Sequence, residues 1–230
     1  PVSRNKLQLV GVTALLIASK YVEIIPPTVE DFVYITDNTY SRQSVLEMER
    51  FMLNKLEYNL TIVTAFDFAK PFADACSRDV ISNTIQNSEQ FKKHKNMDYD
   101  ANIKTQINLN QKRLNQLIHY ILELTLQNYS LINAKPSELA ASATLIALQT
   151  ILKNREPVFP SEIDAMVGYS PSHLATTIEK LVDLIQSAPQ NTLQAVREKY
   201  SSQKHYRVST LTFKHLNALL HLQDDQKESS

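Results

Sequence analysis

The sequence contains very little glycine: Gly11 and Gly168 are the only two in 230 residues. The phosphate-binding loops GxGxxG and GxxxxGK[ST] and the nucleophile elbow GxSxG each need two or three glycines within a few residues, so none of them is present. Scarce glycine also disfavours a barrel or sandwich with many tight turns. It favours helices, which need fewer such turns.

The chain has a single cysteine, Cys76, and no excess of charge of either sign. One cysteine excludes an internal disulfide framework and a multi-cysteine zinc site, and it favours a reducing, intracellular compartment. The 24 basic and 24 acidic side chains give a formal net charge of zero. This balance argues against a partner held mainly by bulk charge, such as duplex DNA or an acidic membrane surface. The longest uncharged apolar stretch, residues 139–152, is shorter than the ~18–20 residues that span a bilayer.

Helical periodicity accounts for most of the chain. Residues 7–19 carry no charge and are apolar or small at every angle around a helix, which predicts a buried helix. Pro26-Pro27 ends this helix, and the sequence TVED at 28–31 predicts a capping box that opens a second one. Ser41 is expected to open a third. Further helices are predicted near 65–78, 113–129, 136–152, 161–167, 170–188 and 193–200. The predicted fold class is therefore all-α.

Two segments lack this periodicity. Residues 82–111 are polar and rich in asparagine, glutamine and lysine. Because so little apolar surface cannot offset the entropy of ordering, we expect a loop or a disordered insertion there. The residues after Leu222 are also polar and are expected to fray, at the end of a C-terminal tail that spans 211–230.

An internal repeat organises the helices. The sequence ALLIA at 14–18 recurs as ATLIA at 143–147, and each copy is followed by a proline with a capping-box pattern and then by a Tyr-Ser pair that opens an amphipathic helix. The spacing is about 130 residues, as expected for two copies of one helical unit. The second copy has two helices before its apolar helix, and we expect the first copy to lack both. The predicted domains are 1–61 and 62–210, followed by the tail.

The helix that begins at Ser41 carries a carboxylate in an apolar stripe. At ~100° per residue, Val45, Met48, Met52, Leu53 and Leu56 share one face with Glu49. A desolvated, unpaired carboxylate costs several kcal/mol, so Glu49 needs a cation or a donor. Lys20, the first charge after thirteen uncharged residues, could pair with Glu49 or with a carboxylate on another protein. The simpler alternatives are that Lys20 only complements its helix dipole and that Glu49 bends out to solvent.

Several ordered motifs resemble one family. The segments KLQLVG (6–11), ASKY (18–21), IIPP (24–27), FVYITD (32–37), ME (48–49) and LEY (56–58) resemble the cyclin box of mitotic, A/B-type cyclins. The run KPSELAASA (135–143) and the closing REKYS (197–201) with KH (204–205) resemble the C-terminal cyclin fold of the same class. The resemblance implies tandem cyclin folds: two five-helix repeats, the first truncated at its N-terminus.

The resemblance also implies a function. Cyclins are regulatory subunits that bind and activate a cyclin-dependent protein serine/threonine kinase, and they control mitotic progression in the nucleus and cytoplasm. In the family, the lysine of ASK and the glutamate of ME form the core of the kinase-binding surface, which implies Lys20 and Glu49. The apolar pocket for the kinase C-helix would involve Tyr21, Leu53, Tyr58 and Leu60. A partial substrate-docking patch would use Leu7 and Gln8.

Other classes of function remain as alternatives. The same two-repeat fold serves transcription factors and nucleic-acid-associated modules, against which the zero net charge and the lack of a dominant basic stripe argue. An enzyme would need catalytic residues at a recognisable spacing in the sequence. No pair of carboxylates, histidine motif or metal-ligand set stands out. We therefore expect no catalytic residue, no metal, no cofactor, and neither nucleic acid nor membrane as a direct partner.

Overall fold

A computed structural model describes residues 2–76, 97–152 and 168–213. All regular secondary structure in these residues is helical, which confirms the all-α prediction. The chain divides into two compact units, Pro1–Ile62 and Val63–Ser230. The division falls one residue after the domain boundary expected from the sequence.

The first unit contains three α-helices: α1 (Leu7–Val22), α2 (Val29–Tyr34) and α3 (Arg42–Lys55). The predicted capping box at the start of α2 is present. The Thr28 hydroxyl accepts from the backbone N–H of Asp31 at 3.2 Å, and the Asp31 carboxylate accepts from the backbone N–H of Thr28 at 2.8 Å. Ser41 caps α3 by accepting from the Ser44 N–H at 3.1 Å. A small core then joins the three helices: Leu9, Val12, Leu16, Phe32 and Val45.

The prediction of a buried α1 holds for one face only. Leu16 and its neighbours in the core are buried against α2 and α3, but Leu7 and Leu15 on the other face are 56% and 58% exposed. The physical reason is that, in the described part of this unit, α2 and α3 are the α-helices that pack on α1.

The second unit contains α4 (Ala65–Cys76), α5 (Met97–Thr125), α6 (Pro136–Leu152), α7 (Pro171–Ser187) and α8 (Ala195–Ser201). Its central helix α6, the repeat counterpart of α1, is covered by α4, α5 and α7. Every residue from Ala140 to Thr150 is buried as a result. Ser170 caps α7 by accepting from the His173 N–H at 3.2 Å, as Ser41 caps α3 in the first unit.

Part of the expected insertion is helical. Residues 97–111, predicted as loop or disordered, form the first half of α5, so that part of the prediction is wrong. The reason is that a polar segment can be ordered as a helix by a few apolar residues when they pack on an existing core. Ile107 packs against the core cluster of the second unit in this way. Residues 82–96, the predicted helix at 161–167, the second capping-box pattern and the tail from 214 lie outside the described residues.

A polar contact fixes α8 against α5. The Glu123 carboxylate accepts from the ammonium of Lys199 at 2.6 Å and from the hydroxyl of Tyr200 at 2.7 Å. Burial, together with the neighbouring Glu123 carboxylate, raises the pKa of the Tyr200 hydroxyl well above its ordinary value. Tyr200 therefore remains a neutral donor, and the register of α8 on α5 is set by a charge-assisted hydrogen bond.

The helical state of residues 97–111 can be tested at Asn108, an exposed position of α5. Asn108→Pro is expected to lower the free energy of unfolding by about 3 kcal/mol, because proline removes a helical hydrogen bond and clashes with the preceding turn. Asn108→Ala is the control at the same site and should be neutral or slightly stabilising. Urea unfolding measures both, and equal stabilities for the two variants would contradict the helix.

Candidate functional site

An ion pair joins α1 to α3 in the first unit. The Nζ atom of Lys20, in the last turn of α1, lies 2.7 Å from Oε1 of Glu49 in the middle of α3. The side chain of Glu49 is 13% exposed and that of Lys20 is 43% exposed. The carboxylate is thus largely desolvated, while the ammonium stays partly hydrated and accessible from outside.

This geometry decides between the alternatives for the two residues. Glu49 does not bend out to solvent, and Lys20 does more than complement the α1 dipole, since it supplies the cation that the buried carboxylate requires. The opposite face of α3 is solvated, with Gln43, Glu47 and Arg50 exposed. The stripe pattern therefore identified the paired carboxylate correctly.

An apolar cleft of about 230 Å³ lies between the same two helices. It is lined by Ala14, Ile17, Ala18, Tyr21 and Val22 of α1, by Met52 of α3, and by Leu56 and Leu60 beyond it. Small side chains at 14 and 18 leave the space open, and none of the lining residues carries a charge. Such a cleft fits apolar side chains presented by a partner helix, because it offers area to bury and no competing polar group.

The end of α3 brings Leu60 to this cleft. The backbone N–H of Tyr58 donates to the Leu53 carbonyl and that of Glu57 donates to the Asn54 carbonyl, at 2.9 and 3.2 Å, which is the Schellman pattern. Glu57 and Tyr58 adopt left-handed φ values of 50° and 57°, which reverse the chain direction. The Tyr21 hydroxyl then hydrogen-bonds Thr61 at 2.6 Å and ties the returning segment to α1.

Only some of the residues predicted to form the kinase pocket line the cleft. Tyr21 and Leu60 line the cleft, whereas Leu53 and Tyr58 are not among its lining residues. Leu53 is half-buried on α3, and Tyr58 is 63% exposed because its left-handed backbone turns the side chain outward. Leu7 and Gln8, the expected docking-patch residues, are both exposed in the first turn of α1.

Sequence reasoning missed most of the cleft wall. Two of the lining residues, Met52 and Leu56, were placed in the apolar stripe but not in a pocket. In all, six lining residues were not predicted as pocket residues: Ala14, Ile17, Ala18, Val22, Met52 and Leu56. A signal was present, because positions 14, 18 and 22 recur every four residues along one face of α1, and 52 and 56 have the same spacing at the end of α3. The alanines among them were interpreted as core positions of a buried helix, and that interpretation hid the cleft.

The second unit has no equivalent of the ion pair among its described residues. Glu49 lies eight residues after the capping residue Ser41, and the residue eight positions after the capping residue Ser170 of α7 is Ile178, which is buried. Glu179, next to it, is exposed, and no ion pair joins it to another described residue. The two copies of the repeat therefore differ at the position that is paired in the first unit.

Two further kinds of site were searched for in the described residues. No group of three or more histidine, cysteine, aspartate or glutamate side chains there is arranged to hold a metal ion. None of the helices in the same ranges is both long and apolar enough to cross a membrane.

Comparison with known proteins agrees with a tandem of helical units. The cyclin N-terminal domain matches residues 1–61 and the cyclin C-terminal domain matches residues 63–214. The chain belongs to the cyclin family. It is 34% identical over 212 residues to a G2/mitotic-specific cyclin-B of Marthasterias glacialis, with 92% of this chain and 46% of the relative covered.

Relatives of both A and B type are similar to this chain. It is 35% identical over 210 residues to cyclin-A3-1 of Oryza sativa subsp. japonica, covering 91% of this chain and 49% of the relative. It is also 35% identical over 211 residues to cyclin-A2-1 of Arabidopsis thaliana, covering 92% and 41% respectively. The chain thus spans about half the length of these curated relatives or somewhat less. These matches confirm the resemblance to A/B-type cyclins.

The contribution of the ion pair to stability can be measured with a double-mutant cycle of Lys20→Ala and Glu49→Ala. The expected coupling in the free energy of unfolding is about 0.5–1 kcal/mol, since the lysine is partly hydrated and such pairs contribute little. The matched control is the Arg42–Glu30 pair, at 2.8 Å but with both side chains largely exposed, whose coupling should be close to zero. Equal couplings would contradict the desolvation of Glu49.

Proposed function

We propose that this protein is a regulatory subunit that binds and activates a cyclin-dependent serine/threonine kinase and thereby controls mitotic progression. The observation that carries the proposal is the Lys20–Glu49 ion pair next to an apolar cleft on the same two helices. The family supports the coarser statement that the chain is a cyclin. The mitotic role rests on the printed names of relatives such as the G2/mitotic-specific cyclin-B.

The mechanism is recognition of one orientation of a kinase helix. Phosphoryl transfer in protein kinases needs an aligned Lys–Glu pair, and the position of the C-helix controls that alignment. In the proposal, apolar side chains of the C-helix enter the cleft while polar groups beside them bond to Lys20 and Glu49. A partner that binds only the active orientation shifts the kinase toward it by its differential affinity.

In this proposal the protein performs no chemistry of its own. Cyclins are regulatory subunits, and the described residues contain no metal-ligating group of three or more side chains. The nucleic-acid alternative gains no support from the relatives, and the net charge of zero argues against it. We further propose that Leu7 and Gln8, exposed in the first turn of α1, belong to a partial substrate-docking patch, and that the protein acts in the nucleus and cytoplasm.

Variants of the ion pair test the proposed interface. Lys20→Ala and Glu49→Ala should each weaken binding to a purified cyclin-dependent kinase of the source organism by roughly 2–5 kcal/mol, since each leaves the other charge desolvated without its partner. The phosphorylation rate should fall in parallel. Titration of the full chain gives the affinity, and a peptide phosphorylation assay gives the activation.

The control for this experiment is Glu47→Ala on the solvated face of α3, where the carboxylate only accepts from Gln43 at 2.8 Å. It should change affinity by less than ~0.5 kcal/mol, as surface substitutions usually do. An effect of Glu47→Ala as large as that of Glu49→Ala would contradict the proposed interface. Normal activation by both ion-pair variants would place the kinase contact elsewhere.

Filling the cleft provides an independent test. Ala18→Phe puts a large side chain into space that the partner helix would occupy, so kinase affinity is expected to fall by at least about tenfold. The fold should tolerate it because Ala18 is exposed. Leu15→Phe is the control on the same helix, since Leu15 is exposed but does not line the cleft. If Ala18→Phe binds the kinase with unchanged affinity, the cleft is not the binding site.

A further inference from the structure

The second unit contains a larger cavity that the proposed kinase contact does not use. Its volume is about 550 Å³, within the range of sites that bind small ligands or peptide side chains. It lies between the end of α7, the start of α8 and the segment 209–213. Ile185, Leu211 and Phe213 form apolar parts of its wall.

One cation lines this cavity. Arg197 of α8 is one of the lining residues, and its buried Nε atom has no hydrogen-bond partner among the described residues. At least one of the guanidinium donors is therefore unused within that part of the chain. None of the described residues that line the cavity is acidic. The described part of the wall therefore has a positive charge and no complementary anion.

Two hydroxyl groups in the wall restrict the ligand further. The Ser209 hydroxyl donates to the Arg197 carbonyl at 2.8 Å, and the Thr210 hydroxyl donates to the Arg207 carbonyl at 2.8 Å. Both hydroxyl protons are thus used, and the two oxygens can only accept from a ligand. A fitting ligand combines an anionic oxygen for Arg197, an N–H donor for these oxygens and an apolar group for the wall. A simple phosphate ion has only the first of these features.

We propose that this cavity binds an acidic peptide segment, in which an aspartate or glutamate carboxylate meets Arg197 and a neighbouring apolar side chain packs on Leu211 and Phe213. Peptide N–H groups supply the donors that Ser209 and Thr210 accept. A guanidinium and a carboxylate can form charge-assisted hydrogen bonds of the strong class. The site would give the protein a second recognition surface, separate in sequence from Lys20 and Glu49.

The test compares peptides that differ in one feature. The probes are fluorescein-labelled Ala-Leu-Asp-Ala-amide, its Asn analogue Ala-Leu-Asn-Ala-amide, and Ala-Ser-Asp-Ala-amide, titrated against the full chain by fluorescence anisotropy. The Leu-Asp peptide should bind at least about tenfold more tightly than the Asn analogue, because only the carboxylate makes charge-assisted bonds. It should also bind more tightly than the Ser-Asp peptide, which lacks the apolar group.

Protein variants locate the contact. Arg197→Gln should abolish the preference for Asp over Asn, whereas Lys180→Gln, an exposed cation on α7 with the same loss of charge, should leave it intact. In the ¹⁵N-labelled chain, the Nε–H signal of Arg197 should shift with the Leu-Asp peptide and not with its Asn analogue. Equal binding of the two peptides, binding of none of them at about 1 mM, or an unmoved Arg197 signal would overturn the proposal. Kinase activation is measured separately, so its failure would not affect this result.

Discussion

Each unit is built around one helix that carries no charge over most of its length. The number of helices packed around that central helix decides whether its small residues lie in a core or border a cleft. In the second unit α4, α5 and α7 enclose α6, and eleven consecutive residues are buried. In the first unit the corresponding helix α1 meets α2 and α3 on one face only. Its small residues Ala14 and Ala18 therefore border an open cleft instead of a core. The same sequence motif yields a packing element in one unit and, in our proposal, a recognition surface in the other.

The ion pair follows from this difference. A carboxylate in an apolar stripe is tolerated at Glu49 because Lys20 reaches it from the last turn of α1, where the ammonium can stay partly in water. A partner that covers the pair would remove the remaining water and so strengthen the attraction between the two charges. It would also raise the free-energy cost of leaving either charge without its partner. The pair is therefore weak as a stabilising element of the free protein and suited to discriminate between partners.

Much of this was predictable from the sequence. Periodicity and capping patterns identified α1, α2, α3 and α6, and the stripe on α3 identified Glu49. What the sequence did not predict depends on tertiary contacts, which local composition and periodicity do not describe. Residues 97–111 are too polar to order themselves, yet Ile107 finds a core beside it. Tyr58 does not line the cleft, and its left-handed backbone at the end of α3 depends on hydrogen bonds that no pattern reveals, while its contact with a kinase stays a prediction. Neither the cleft nor the lack of a partner for Arg197 Nε could be read from single residues.

Duplication allows one chain to carry the two different surfaces at which we propose recognition. Once two copies of a helical unit exist, equivalent positions can differ. Eight residues after the capping serine, the first copy has the paired Glu49 and the second has the buried Ile178. Among the described residues of the second unit, the buried polar atoms without a hydrogen-bond partner include Nε of Arg197 on α8, a helix whose register is fixed on α5 by the bonds from Lys199 and Tyr200 to Glu123. Holding a charged side chain at a cavity requires such a fixed helix, because a mobile one would turn the guanidinium into water. The Glu123 contact thus serves the cavity as well as the core.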